Sequence, residues 1–428
     1  MLPNRIRSRL AAGVLMLLIA APACAQDLEW IQPFASADIS SFGSGIQPKE
    51  GYFFVVDALH WSISKPNVTT IGKPNYVREA YRSDATAEAT PFLQANTMDT
   101  GSLTSAFASG NRFEFGRVFG HRGWLFSGYF MHHQDQRITA SSASILFEDH
   151  AISTGVNALD GFVENLDPTD PTGATTITEL RPLPILFDDV AAKNLVDTWS
   201  VELMCLHRFH QLHRGGVIEL FAGARYMQFD DSFGVTALGD EVVDDGTQPQ
   251  PGEPAVTVTP PAILADSVWD TLAENHIIGP QVGLRYCYQQ SRWSLSTEGR
   301  FFAGFNSQNI HQRGTLGSRL APPGAVDQPY LLSPIDIDHS EYINEWSPLA
   351  ELRVEAKYQL TRAVTFRVGW TGFWMDGIAR ASNMISYEIA QPNTRPNPVD
   401  FESMGILAGQ NRQAVFGHGL AIGLEVNR

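Results

Sequence analysis

Outside its first 25 residues the chain has no stretch of about 18 or more consecutive apolar residues, which excludes a membrane-crossing helix. Cysteine is scarce. Cys24, Cys205 and Cys287 are the only three, too few for a disulfide framework. Charge is scarce as well, 18% of residues against roughly 25% in soluble domains, so part of the surface need not face water. Basic residues are outnumbered, 30 Lys and Arg against 46 Asp and Glu, and the formal net charge is −16. That balance argues against nucleic acid as a partner and against adhesion to anionic surfaces by overall charge. No Gly-x-Ser-x-Gly elbow, His-Glu-x-x-His pair or phosphate-cradling loop occurs, so nothing points to an enzyme, and no cofactor is expected.

What is present starts at the N-terminus. Arg5, Arg7 and Arg9 precede an apolar run over residues 10–22 and the sequence "ACAQD". That pattern predicts a Sec signal peptide over 1–25, cut after Ala25. A lipoprotein modified at Cys24 is the other reading, but Pro22 stands where such a site wants a small residue. Residues 26–50 then form an N-terminal periplasmic segment.

Ten segments are rich in aromatic and β-branched residues: 51–63, 111–119, 123–136, 198–210, 216–229, 276–289, 292–306, 347–358, 363–377 and 413–427. Helical periodicity is absent. The connections are more informative than the strands. Long ones (64–110, 137–197, 230–275, 307–346, 378–412) alternate without exception with short ones ("GHR", "QLHRGG", "QQSR", "QLTR"). A soluble sandwich has no reason to keep that rule. A transmembrane antiparallel up-and-down β-barrel does, with short periplasmic turns, long extracellular loops and an even strand number.

Parity within the segments supplies a second test. In "WSLSTEGRFFAGFN", residues 293–306, Trp293, Leu295 and Phe301 lie on one face, and Glu298 and Arg300 on the other. The lipid-facing candidates are Trp293, Leu295, Phe301, Leu352, Val354, Phe366, Trp370, Leu420, Ile422 and Leu424. The lumen-lining candidates are Glu202, Arg225, Arg285, Glu298, Arg300, Glu351, Arg353, Glu355, Lys357 and Arg367. Charges confined to one parity need a wet or mutually paired interior. They could line a channel or cross-pair into a plug, and ten strands leave little more room than the eight whose side chains just fill a barrel. The first strand is less clean, because Asp57 shares parity with Phe53, Val55, Leu59 and Trp61.

Other clusters carry less. His207, His210 and His213 invite a metal, yet strand parity separates His207 from His210 and no acid or cysteine is near, so no metal site is assigned. "LDPTDPTG" (166–173) lacks the spacing and closing Glu of a calcium loop and reads as turn chemistry. Residues 231–274 hold nine acids and no Lys or Arg, which predicts a solvated loop. Cys205 and Cys287 fall on opposite faces and are not expected to bridge.

The segments "ENHIIGPQVGLRY" (274–286), "RWSLSTEGRFFAG", "VIELFAGARYMQFDD" (217–231) and "PLAELRVEAKYQLTRAVTFRVGWTGFWMDGIAR" (348–380) resemble, in the same order, strands of the putative beta barrel porin-7 family of planctomycete outer-membrane proteins. The resemblance implies an outer-membrane β-barrel over 51–428 and transfers no catalytic or ligand residue. One departure is the ending "LEVNR", which lacks the terminal aromatic common among barrel proteins.

The sequence therefore predicts an all-β outer-membrane barrel. Its partners are outer-membrane lipids, the barrel-assembly machinery that inserts it, and surface ligands of the long loops. Its role is porin-like passive diffusion of small solutes or a structural envelope barrel. The alternatives are a surface adhesion or scaffold protein acting through acidic loops, and a soluble secreted β-sandwich.

Overall fold

Residues 50–71, 98–105, 107–150, 183–210, 212, 216–238, 267–316, 335–385 and 405–427 are described by the computed structural model, with short strand pieces at 77–78, 93–94, 162–165 and 176–180. The expected signal peptide, nearly all of segment 26–50, His213, the 166–173 turn and the centre of the acidic loop lie outside them.

Eleven long strands carry the fold: β1 (Gly51–Ile63), β2 (Phe107–Phe119), β3 (Arg122–Met131), β4 (Gln134–His150), β5 (Leu183–Arg208), β6 (Gly216–Leu238), β7 (Ser267–Gln290), β8 (Trp293–Leu316), β9 (Ile335–Gln359), β10 (Val364–Ile378) and β11 (Gln413–Asn427). Ten of them close into an antiparallel barrel. Each pairs with the next, skipping β4, and the ring shuts where β1 meets β11 from Phe53↔Asn427 to Ile63↔Gly417. Closure leaves the membrane-embedded wall no free edge, the condition for strands to survive in hydrocarbon. β4 resumes the path of β3 after His132 and His133 and pairs with the far half of β5. The tight turns sit at one end. Gly120, in the β2–β3 turn, has φ +56°, which a side chain would strain.

Five strands run further than side-chain alternation indicates. β5 to β9 have 26, 23, 24, 24 and 25 residues. At about 3.3 Å rise and 40° tilt these reach roughly 60 Å, against an apolar band near 25 Å. Parts of 137–197, 230–275 and 307–346, expected as loops, are therefore strand. β3 also stops earlier than the expected 123–136 segment.

The outer face shows where lipid ends. Along β7 the outward residues Tyr286, Leu284, Val282 and Ile278 are exposed, and His276 and Glu274 follow. Along β8, Phe301 and Phe305 give way to Ser307 and Asn309. Along β9, Leu352 and Trp346 give way to Asn344. The same change falls between Tyr226 and Gln228, Trp199 and Asp197, and Trp374 and Asp376. At the short-turn end the band is bordered by Phe119, Trp124, Trp293 and Tyr358, and Trp293 lies tilted against Tyr358 with ring centroids 4.8 Å apart. Two aromatic girdles flanking an apolar belt mark a lipid-embedded wall. Beyond the upper girdle the outer face meets water while inward residues such as Phe233, Val235, Trp269 and Ile310 stay buried, so the outer residues need not be apolar and the alternation that betrays a transmembrane strand fades.

Candidate functional site: the filled lumen

A strand that turns alternate side chains outward to lipid turns the remainder into the barrel. Glu202, Arg225, Arg285, Glu298, Arg300, Glu351, Arg353, Glu355, Lys357 and Arg367 all point inward and fall in two ion-pair sets, joined where Gln281 accepts from Arg225 and donates to Glu202. The lipid-facing candidates project outward, nine of them exposed and Val354 half-buried.

The network holds residues that parity alone did not single out. Asp57 takes the Arg112 guanidinium at 2.7 Å, which resolves the irregular first strand: its odd-numbered face, Asp57 included, points inward. Arg353 bridges Glu351 to Glu114, the latter at 3.0 Å. Arg367 binds Glu355 at 2.7 Å and reaches Glu114 and Glu425. Arg300 donates to both Glu298 and Glu202. Arg225 donates to Glu351 at 2.9 Å and to the Ser200 hydroxyl at 2.8 Å. Nearer the short turns, Arg285 links Glu298 to Glu219, Arg208 pairs with Glu219, and Lys357 pairs with Glu425 at 2.9 Å. Eight acids (Asp57, Glu114, Glu202, Glu219, Glu298, Glu351, Glu355, Glu425) face eight bases (Arg112, Arg208, Arg225, Arg285, Arg300, Arg353, Arg367, Lys357), so the network is neutral. A low-dielectric layer tolerates charge only on those terms.

Above this layer the lumen turns apolar. Leu59, Trp61, Tyr129, Met227, Ile277, Phe302, Leu349 and Phe373 form a buried cluster across the barrel. Arg225 spans both layers, its guanidinium lying 5.7 Å from the Tyr129 ring centroid and 5.8 Å from that of Phe302.

A third layer closes the extended end. After β10 the chain folds inward, and Ile378 to Ser382, Met384 and Ile385 are buried. Residues 378–412 were expected as an extracellular loop, but this first part is a plug. Gly377 makes the bend at φ +68°, where a Cβ would sit 2.4 Å from the Trp346 carbonyl oxygen. Its own carbonyl accepts from Asn306, Gln308 and Ser347, at 3.1, 2.9 and 2.6 Å. Asn275 makes a reciprocal pair with the Ala379 backbone, 2.9 and 3.0 Å. Arg380 donates to Asp231, both side chains fully buried, and to the Ser64 carbonyl at 3.0 Å. Polar residues inside strands at 275, 306, 308 and 347 were the available sequence signal. Each satisfies a backbone group of Gly377, at the end of β10, or of Ala379, just past it, as buried polar groups must.

At the short-turn end a cavity of about 160 Å³ opens between Val55, Leu206, Arg285, Cys287, Lys357 and Arg367, and ends against the ion-pair layer. Cys205 faces out, Cys287 lines this cavity, and both thiols are free. Among the described residues no group of three or more His, Cys, Asp or Glu is arranged to hold a metal ion.

Comparison with known proteins gives one family. The putative beta barrel porin-7 model matches residues 53–427. No curated protein matches. Solved structures that are similar include the outer membrane protease OmpT from Escherichia coli, 9% identical, covering 88% of this chain and 97% of that one with a TM-score of 0.40. The toluene transporter TbuX of Ralstonia pickettii is 10% identical, covering 89% and 90%, with a TM-score of 0.18. A Pseudomonas aeruginosa FadL homologue is 8% identical, covering 88% and 90%, with a TM-score of 0.22.

Proposed function

The chain belongs to the putative beta barrel porin-7 family and is an outer-membrane β-barrel, and from that premise we propose that it is a structural envelope barrel closed to passive diffusion. The observation that carries this reading is the lumen, which is filled at three successive levels by ion pairs, by apolar rings and by the in-folded 378–385 segment. A diffusion pore needs a continuous polar path. Here the charged layer is spent on internal pairs, and the apolar layer above it would have to be wetted for an ion to pass.

The short turns, the start of β1 and the end of β11 take the periplasmic side, which sets β5 to β9 rising from the cell surface as a water-exposed wall. This wall favours the surface-scaffold use of the barrel over transport, with the membrane-embedded half as its anchor. Catalysis has no part in the proposal.

Liposome swelling tests it. Vesicles carrying the folded protein should exclude a pentose as well as protein-free vesicles do, and swelling at the rate of a general porin would defeat the proposal. For the scaffold role, β6 ends at Leu238 and β7 begins at Ser267. Replacing residues 239–266 by a short linker should therefore change cell or matrix attachment while leaving the barrel folded.

A further inference from the structure

The chain is acidic overall, yet its four short connections are not. Each of the four short connections carries an arginine and no acid: Arg122 in "GHR", Arg214 in "QLHRGG", Arg292 in "QQSR" and Arg362 in "QLTR". Arg214 lies outside the described residues. The others sit at the rim, Arg122 and Arg362 exposed and Arg292 half-buried. A further arginine, Arg117, faces lipid on β2, its guanidinium 5.1 Å from the Tyr52 ring centroid and 5.8 Å from that of Phe119. Among the described residues none of Arg117, Arg122, Arg292 and Arg362 pairs with a carboxylate, in contrast to the eight paired bases of the lumen.

We infer that this basic rim binds the phosphate headgroups of anionic phospholipids in the periplasmic leaflet. The level of the arginines decides the class of ligand. Arg122 is cross-strand to Phe119 and to His207, with Trp124 and Arg117 two pairs above on the same face. Arg292 directly precedes the lipid-exposed Trp293, and Arg362 lies in the β9–β10 turn two residues after the exposed Leu360. Arginines in the plane of the aromatic girdle meet the glycerol-phosphate layer, where their stems can lie along acyl chains and their heads reach phosphate. A polymer in the periplasm would meet the turns but not Arg117, which is set among aromatic rings on the lipid side. The outward residues of this sector, Phe115, Phe119, Trp124, Leu203, Cys205 and His207, include no acid to repel a phosphate.

The test uses the full folded barrel in vesicles of equal phosphatidylglycerol and phosphatidylcholine, extracted mildly, with co-purified lipid quantified. Basic residues at a membrane surface contribute about 1 kcal/mol each toward anionic lipid, roughly fivefold. The bound phosphatidylglycerol fraction should exceed the bulk ratio at least about fivefold. The R117Q/R122Q/R292Q/R362Q variant should return it to bulk while keeping its heat-modifiable mobility on gels. A bulk ratio in the unmodified protein overturns the inference, as does enrichment that survives in the variant. Displacement by low millimolar inorganic phosphate would mean a free-anion site and also overturns it. So would binding to isolated peptidoglycan that needs the four arginines without any lipid preference.

Discussion

Replacing Arg225 by Met probes the dryness of the lumen, because that side chain joins the charged layer to the apolar one. Its guanidinium donates to Glu351 and Ser200 and lies over Tyr129 and Phe302, with both members of the Arg225–Glu351 pair 3% exposed. Met keeps much of the packing against the two rings and removes the charge, leaving Glu351 buried with one base fewer. Breaking a buried pair from one side costs about 3–5 kcal/mol. Glu351 retains Arg353, which puts the expected loss at the lower end, about 3 kcal/mol. Restoring neutrality with R225M/E351Q should recover at least about 1.5 kcal/mol of that loss. Urea unfolding of the barrel in lipid vesicles, followed by tryptophan emission, reads both values. A single-variant cost below about 1 kcal/mol would mean that water screens the layer. The lumen would then be hydrated and the reasoning refuted.

Three further outcomes follow from other levels of the fold. Phe301 faces lipid near mid-band, so Phe301→Arg should cost about 2–4 kcal/mol in the same unfolding assay, and an unchanged midpoint would reverse the assigned faces. Gly377→Ala, forced into positive φ against the Trp346 carbonyl, should destabilise by about 1–3 kcal/mol and expose the 378–385 segment to protease, while equal protease resistance would count against the plug. Above the membrane, Asp230 stands cross-strand to both Asp197 and Glu274. Burial first, and then Glu274, push its carboxyl up to about 6, with the Gln228 side chain opposing. A folded-state pKa above the unfolded one makes the ionised form a cost, present above pH 6 and relieved as pH falls through 6 toward 4. Asp230→Asn should therefore stabilise by about 1–2 kcal/mol at pH 8 and by little at pH 4, and a pH-independent effect would sink that assignment.

The transmembrane half was legible because lipid imposes a rule the sequence must keep. With hydrocarbon on one side, each strand shows apolar residues at every second position, and Glu298 and Arg300 can point only inward. The upper half escaped because water lies outside it, so Ser307, Asn309 and Asn344 need no apolar alternation and read as loop. The plug escaped for a different reason. Gly377 to Ile385 owes its place to Asn275, Asn306, Gln308 and Asp231, which lie up to 150 residues away in sequence. No local pattern reports such a partnership. Charge balance was partly hidden as well: ten lumen residues could be named from parity, but their neutrality depends on Asp57, Arg112, Glu114, Arg208, Glu219 and Glu425.

Planar-bilayer recording of the purified, folded protein bears most directly on whether the barrel is sealed. The account predicts no discrete current steps above the bare-bilayer baseline in molar potassium chloride at either polarity, from protein whose heat-modifiable mobility shows a closed barrel. Stable ohmic steps, scaling with the number of barrels inserted, would contradict it and place an open aqueous path through the ion-pair and apolar layers.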